Sequence, residues 1–132
     1  MAAFLIDLDG TILRAGTDDL LPGALDALKK IKADGHWLGI TTQRGYNFPP
    51  LHRYHIVQSE RLLRTIEEQI GSRFDAVLWD VPSPRVVVND SGAVAINLAT
   101  DEGLTVARVV AAVDPVVLVG QCKIGEVERP RS

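Results

Sequence analysis

The chain has 132 residues, 46% hydrophobic and 23% charged, which suits one globular domain and is too short for two ordinary ones. Its formal net charge of −3 excludes a broad basic surface, so nucleic acid is not expected as a partner. No apolar stretch approaches the roughly 18 residues that a membrane span requires, so no membrane partner is expected either. The single cysteine, Cys122, excludes an intrachain disulfide and predicts a cytoplasmic protein.

Strand and helix patterns alternate along the chain. The pattern of apolar residues predicts strands at residues 1–8, 36–41 and 74–79 and helices at 22–33 and 58–70. A loop is predicted at residues 43–55. Two more strands and a helix are predicted at 85–89, 93–98 and 104–113. This alternation predicts one Rossmann-like, three-layer α/β domain over residues 1–124, with a mainly parallel sheet. Residues 125–132 are predicted to form a frayed tail.

Two aspartates follow the first predicted strand, in the stretch FLIDLDGTIL. Asp9-Gly10 between apolar runs is a β-hairpin signal, which would make Asp7 an ordinary exposed strand residue. Alternatively, side chains at i and i+2 of a strand leave on the same side, so Asp7 and Asp9 can converge at the end of the strand. Two convergent carboxylates can hold a divalent metal, or serve as a nucleophile and an acid.

Polar residues end three of the predicted strands. Asp7 and Asp9 follow the first strand, Thr41-Thr42-Gln43 ends the second, and Asn89-Asp90 ends the strand at 85–89. In open parallel sheets, ligands bind beyond the carboxyl ends of the strands. A hairpin gives no reason for this recurrence, so the pattern favours a binding or catalytic site at that edge of the sheet.

At these positions the chain resembles the haloacid dehalogenase (HAD) superfamily of phosphohydrolases. DLDGT at 7–11 is similar to the first motif of that superfamily, LGITTQRG at 38–45 to the second, and VVVND at 86–90 to the fourth. The resemblance covers residues 4–98 and depends on the order of the motifs as well as on their residues. It implies a Mg²⁺-dependent enzyme that cleaves a phosphomonoester through an aspartyl-phosphate intermediate.

The resemblance also implies a role for each matching residue. Asp7 is expected to be the nucleophile, and Asp9 to be the acid that protonates the leaving oxygen and then the base for water. Thr41 and the backbone N–H of Thr42 are expected to bind the phosphoryl oxygens. Mg²⁺ is expected to be held by the Asp7 carboxylate, the Asp9 backbone carbonyl and Asp90, or by Asn89 in place of Asp90. Ordinary structural alternatives remain for Thr41, a β-branched residue at a strand end, and for Asp90, a turn residue.

The third motif of the superfamily supplies a lysine, often followed by Pro-x-Pro, before the fourth-motif strand. VPSP at 81–84 has both prolines, but Val81 stands where the lysine is expected, and residues 33–122 contain no lysine. A cation at such a site is commonly worth about 10²–10³ in rate. The expected substitutes are Arg44, Arg53 and Arg85. Arg44 is favoured because it directly follows the predicted phosphate-binding threonines, and its alternative is a solvated loop arginine.

The gaps between the motifs leave no room for a cap domain, so an open site is expected, shielded by loops or by a second subunit. The loop QRGYNFPPLHRYHIV mixes basic and aromatic side chains, namely Arg44, His52, Arg53, His55, Tyr46, Phe48 and Tyr54. Such a mixture can stack on a base or hold a second phosphate. The alternative is a surface loop whose aromatic residues pack on the core.

Three functions remain open. The leading one is a capless, Mg²⁺-dependent phosphatase that acts on a small phosphorylated substrate through Asp7 and Asp9. The second is a catalytically degenerate domain that binds a phosphorylated ligand or a protein, which the absent lysine suggests. The third is a phosphatase of phosphoproteins or of nucleic-acid ends, which an open site would admit. The sequence favours no particular substrate or oligomeric state.

Overall fold

The computed structural model describes residues 1–47 and 56–114. These residues form, in chain order, β1 (Ala3–Asp7), α1 (Ala24–Ala33), β2 (Trp37–Thr41), α2 (Ile56–Ile70), β3 (Ala76–Leu78) and α3 (Val106–Ala112). The three strands are parallel and lie side by side in the order β1-β2-β3. The predicted α/β class with a parallel sheet is therefore confirmed. The predicted tail at 125–132 and Cys122 lie outside the described residues.

β1 pairs in parallel with β2, so the hairpin interpretation of Asp9-Gly10 is wrong. After β1 the chain coils into a tight turn, in which the Leu8 carbonyl accepts hydrogen bonds from the N–H groups of Ile12 (3.0 Å) and Leu13 (2.9 Å). Gly10 has a φ of 82° in this turn, a conformation that glycine adopts without steric cost. The register places Asp7 beside Thr41, at the carboxyl ends of both strands.

The hydrophobic core lies between one face of the sheet and the helices. Alternate strand residues such as Ile6, Leu38 and Ile40 join this core because successive side chains of a strand point to opposite faces. All three helices contribute to the same cluster, and α1 packs against both α2 and α3. On the opposite face Leu5 and Leu78 remain 51% and 44% exposed. This arrangement fixes the strand ends, which carry Asp7 and Thr41, on a rigid layer.

Features of the sequence explain why α2 and α3 form where they do. The buried positions of α2 include Leu63 and Ile66, three residues apart, which is the spacing of one helix face. The Thr105 hydroxyl caps α3 by accepting the Arg108 N–H at 3.3 Å, which confirms the helix predicted at 104–113 with shorter bounds. None of the helices in the described part of the chain has the length and apolarity that crossing a bilayer requires.

The strands predicted at 85–89 and 93–98 are wrong, because the chain there is irregular. Val86, Val87 and Val88 are 83%, 69% and 91% exposed, so they are not the buried strand residues that their run predicted. A valine-rich run forms a strand only where a neighbouring strand and a packed surface receive it. Within the described residues β1 is an edge of the sheet, and these valines pair with no strand.

Asp75 connects three elements at the amino-terminal end of the sheet. Its carboxylate accepts hydrogen bonds from Lys32 Nζ (2.9 Å) and from the Leu38 N–H (2.7 Å). The hydrogen bond from Lys32, and after it the one from Leu38, lowers the pKa of the Asp75 carboxyl below its ordinary value. A carboxyl whose pKa falls on folding adds stability above its unfolded pKa of about 3.9, and this contribution is lost as the pH falls through the folded pKa.

Replacing Asp75 with asparagine is therefore expected to lower the free energy of unfolding at neutral pH. The difference from wild type should shrink as the pH falls below about 4, because both chains then lack the charge. Denaturant unfolding over a pH series measures it, with Asp26→Asn on the exposed side of α1 as the control. A difference that does not change with pH would show that the Asp75 charge contributes nothing.

Candidate active site

The carboxyl end of β1 brings together a carboxylate, a hydroxyl and a guanidinium. Asp7 and Thr41 are register partners, so their side chains leave the sheet on the same side. Arg85 comes from the irregular segment after β3, and its Nη1 donates to Asp7 Oδ1 at 2.8 Å. The Asp7 side chain keeps 39% of its surface exposed, so a substrate can reach it. This cluster is open to solvent and holds a carboxylate oxygen beside a positive charge.

Arg85 contacts Val81, the residue that stands where the resemblance predicts a lysine. Its Nη2 donates to the Val81 carbonyl at 3.0 Å, four residues earlier in the chain. Its Nε is buried and has no acceptor among the described residues. A guanidinium has five N–H donors, and these two hydrogen bonds use two of them. Arg85 therefore contacts Asp7 and retains donors for an anion.

Arg44 has a different environment from the one its position in the sequence predicted. Its side chain is 1% exposed, and its guanidinium binds Asp9 through Nε–Oδ2 and Nη2–Oδ1 hydrogen bonds of 3.0 and 2.7 Å. Nη1 donates to Asp18 Oδ1 at 3.0 Å and to Ser59 Oγ at 3.3 Å. Arg44 thus joins the turn after β1 to α2 beneath the surface.

The charges around Arg44 outweigh its burial. Burial by itself lowers the pKa of the guanidinium, but the hydrogen bonds and charges of Asp9 and Asp18 raise that pKa above its ordinary value. Arg44 is therefore a cation at every accessible pH, and Asp9 is its nearest counter-charge. The sequence did not single out Asp18 or Ser59, and nothing local marks either as a partner of Arg44.

Two predicted site residues are engaged or placed differently from what the resemblance implies. The Thr42 N–H, expected to bind a phosphoryl oxygen, donates to the Leu78 carbonyl at 3.0 Å. Asp90 is exposed, in the segment that was predicted to end a strand and does not form one. The strand that was to carry Asp90 to the edge of the sheet beside Asp7 is absent from the described residues.

The described residues do not fit the predicted Mg²⁺ site. No group of three or more His, Cys, Asp or Glu residues within 1–47 and 56–114 is placed to hold a metal. The Asp7 carboxylate is paired with Arg85 and the Asp9 carboxylate with Arg44, so guanidinium groups neutralise both.

A cavity of about 250 Å³ lies beyond the carboxyl ends of β2 and β3, lined by Gln43, Asn47, Asp80, Val81 and Pro82. Asp80 shapes it, because its carboxylate accepts the N–H groups of Tyr46 (3.1 Å) and Asn47 (3.2 Å). A Cβ on Gly45 would lie 2.6 Å from Asp80 Oδ1, so only glycine fits there. Sequence reasoning missed Asp80, although it is a polar residue just after a predicted strand, the signal that had marked Asp7.

Val81 lies between the cavity and the Asp7–Arg85 pair. It lines the cavity, and its carbonyl accepts a hydrogen bond from Arg85 Nη2, while Asp7 Oδ1 accepts one from Nη1 of the same guanidinium. The cavity and the Asp7–Arg85 pair are therefore neighbours at the same edge of the sheet. Of the predicted substrate loop, Phe48, His52, Arg53, Tyr54 and His55 lie outside the described residues.

Fold and site together define a small parallel α/β domain with an acidic and an arginine side chain paired at the end of its first strand. No protein-family model matches the chain, and no curated protein matches it in sequence. One similar solved structure is the D,D-heptose 1,7-bisphosphate phosphatase from B. bronchiseptica, crystallised with magnesium and phosphate. The similarity has a TM-score of 0.45 and 18% sequence identity, and it covers 60% of this chain and 49% of that protein. The chain thus spans about half of the length of that phosphatase.

Proposed function

We propose that this chain is a HAD-like phosphohydrolase in which Asp7 attacks phosphorus and forms an aspartyl-phosphate. One observation carries the proposal: the Asp7 carboxylate and the Arg85 guanidinium lie 2.8 Å apart at the end of β1, beside Thr41. Phosphoryl transfer needs a nucleophile and an anion-binding group in one place, and this pair supplies both. The geometry also leaves Asp7 Oδ2 without a hydrogen bond from any described residue, so that oxygen is the one that attacks.

Arg85, and not Arg44, is the cation that we assign to the phosphoryl group. The Arg85 side chain is 24% exposed, so guanidinium N–H groups that Asp7 and Val81 do not use can donate to a phosphoryl oxygen. A guanidinium binds phosphate as a planar fork, with more than one N–H per anion. Thr41 adds a hydroxyl beside Asp7 that no other described residue engages through a hydrogen bond.

Phosphate release from a panel of phosphorylated compounds tests the proposal, with wild type and Asp7→Asn assayed side by side. Release by wild type that Asp7→Asn lacks supports it. The same rate for both chains would show that the activity belongs to a contaminant or to another residue.

Magnesium dependence is a separate proposal, made from the resemblance. Arg85 places a positive charge beside Asp7, so Mg²⁺ binding is expected to be weak in wild type. Arg85→Gln should tighten Mg²⁺ binding by about tenfold, because it removes a charge of the same sign from the site. Titration calorimetry with Mg²⁺ measures both chains. Identical isotherms would show that Asp7 takes no part in a metal site.

The Asp7–Arg85 pair also favours a second candidate function, which is phosphate binding without turnover. A carboxylate held by a guanidinium before substrate arrives is partly neutralised, and such a pair can serve recognition alone. This candidate predicts saturable binding of inorganic phosphate with no hydrolysis of any compound in the panel. Loss of phosphate binding in Arg85→Gln would place the binding at this cluster.

A further inference from the structure

Asp80, two residues after the end of β3, has a backbone conformation that few side chains adopt. Its φ is 58°, in the left-handed region that glycine adopts freely and that aspartate tolerates better than most residues. Backbone strain of this kind persists only where the surrounding contacts fix it, and it clusters at functional sites. One such contact is the hydrogen bond that the Asp80 N–H donates to the Arg44 carbonyl at 2.9 Å.

The Asp80 carboxylate uses both of its oxygens to hold the loop after β2. Oδ2 accepts the Tyr46 N–H at 3.1 Å, and Oδ1 accepts the Asn47 N–H at 3.2 Å. The carboxylate also packs against the backbone of Gly45, where a Cβ would lie 2.6 Å from Oδ1. These contacts restrict the Asp80 side chain to one orientation relative to the loop.

Val81, the next residue, orients the Arg85 guanidinium. The Val81 N–H donates to the Thr42 carbonyl at 2.9 Å, which ties Val81 to the end of β2. The Val81 carbonyl accepts Arg85 Nη2 at 3.0 Å, while Arg85 Nη1 donates to Asp7 Oδ1 at 2.8 Å. Two acceptors thus hold a planar group at two points. Because Asp80 and Val81 share a peptide bond, a shift of Asp80 moves the carbonyl that binds Arg85.

We infer that Asp80 is a positioning residue for the reaction: its carboxylate keeps the Val81 carbonyl in the place from which it orients Arg85. The inference rests on the proposed function, in which Arg85 binds the phosphoryl group. A guanidinium that is already in place needs no reorganisation as charge develops on the phosphoryl oxygens. Supporting contacts of this kind keep a reacting group within the narrow range of positions that catalysis requires.

A double-mutant cycle with Asp80→Gly and Arg85→Ala tests the inference through kcat/KM for the compound of the panel that wild type hydrolyses fastest. Glycine adopts the positive φ without strain and removes the carboxylate. With Arg85 present, Asp80→Gly is expected to lower kcat/KM by about tenfold, a typical coupling between neighbours. In the Arg85→Ala background the same change should cost less than about twofold, because the group that Asp80 positions is gone.

Two further variants complete the cycle. Asp80→Asn should recover part of the loss, because asparagine also tolerates the left-handed region and its side-chain oxygen replaces one of the two acceptors. Asp101→Gly is the matched control, since Asp101 is the other described aspartate with a positive φ, 65°, and its carboxylate accepts the Ala15 N–H. The effect of Asp101→Gly on kcat/KM is expected to be the same with and without Arg85.

Two results would overturn the inference while leaving the proposed function intact. One is an unchanged kcat/KM in Asp80→Gly. The other is the same fold-loss from Asp80→Gly with and without Arg85, because a variant that only destabilises the fold lowers both values by the same factor.

Absence of turnover with every compound of the panel would instead overturn the proposed hydrolysis. The positioning of Arg85 is then measured through the binding of inorganic phosphate, by titration calorimetry. Weaker binding in Asp80→Gly that Asp80→Asn partly restores supports the inference, and equal affinity in wild type and Asp80→Gly overturns it. A wild-type chain that neither hydrolyses these compounds nor binds phosphate overturns both.

Discussion

Replacing Asp7 with asparagine is expected to abolish turnover of every phosphorylated compound that the wild-type chain hydrolyses. An amide oxygen is a far weaker nucleophile than a carboxylate and cannot form the acyl-phosphate that the proposed reaction requires. The fold should survive, because Asp7 is partly exposed and lies at the end of β1, outside the hydrophobic core. Initial rates of phosphate release at saturating substrate measure the effect, with unfolding curves to confirm that both chains are folded.

Asp26→Asn is the matched control for this experiment. Asp26 is an exposed aspartate in the first turn of α1, so the same change of charge there should leave the rate unchanged. Retention of more than about a tenth of wild-type activity by Asp7→Asn would rule out covalent catalysis at that residue, since loss of a nucleophile typically removes far more.

Replacing Arg85 with alanine is expected to lower kcat/KM by about 10²–10³, the usual effect of losing one preorganised group that stabilises transition-state charge. Arg85 is the described arginine that contacts Asp7, and it is proposed to bind the phosphoryl oxygens as charge develops on them. Arg85→Lys should recover only part of this loss, because a point charge replaces a planar fork. Steady-state kinetics on the best substrate measures both variants.

Arg73→Ala provides the control for Arg85, since Arg73 is an exposed arginine before β3 and away from the end of β1. A large loss in Arg85→Ala with wild-type rates in Arg73→Ala and partial rescue in Arg85→Lys places the cation at Arg85. If Arg85→Ala keeps full kcat/KM, the cation comes from another residue and the role assigned to the Asp7–Arg85 pair is wrong.

The spacing of apolar residues and glycines along the chain was enough to predict several of the strands and helices. The apolar run that ends at Asp7 and the helical spacing before Gly35 and Gly71 are strong signals, and β1, α1 and α2 appear where they were expected. The run Val86–Val88 misled for a physical reason. Its β-branched residues fit a packed sheet surface, but pairing depends on a neighbour that no local pattern specifies.

The arrangement of the arginines shows the same limit at the site. Arg44 follows the predicted phosphate-binding threonines directly, yet its side chain turns inward to Asp9 and Asp18, which lie in the turn after β1. Arg85 is 78 residues from Asp7 in sequence and contacts it in space. Nearness to Thr42 along the chain does not show which arginine contacts Asp7, because ion pairing and burial decide where a guanidinium points.

Trapping the covalent intermediate tests the proposed function most directly. Wild-type chain mixed with the compound of the panel that it hydrolyses fastest and quenched in acid within the first turnover should carry one phosphoryl group on the peptide that contains Asp7. Hydroxylamine should remove that group, as it does from acyl-phosphates, and Asp7→Asn should never acquire it. Mass spectrometry of the digested protein reads out all three results. Release of phosphate without any phosphorylated protein, or a phosphoryl group on a peptide that lacks Asp7, would contradict the account.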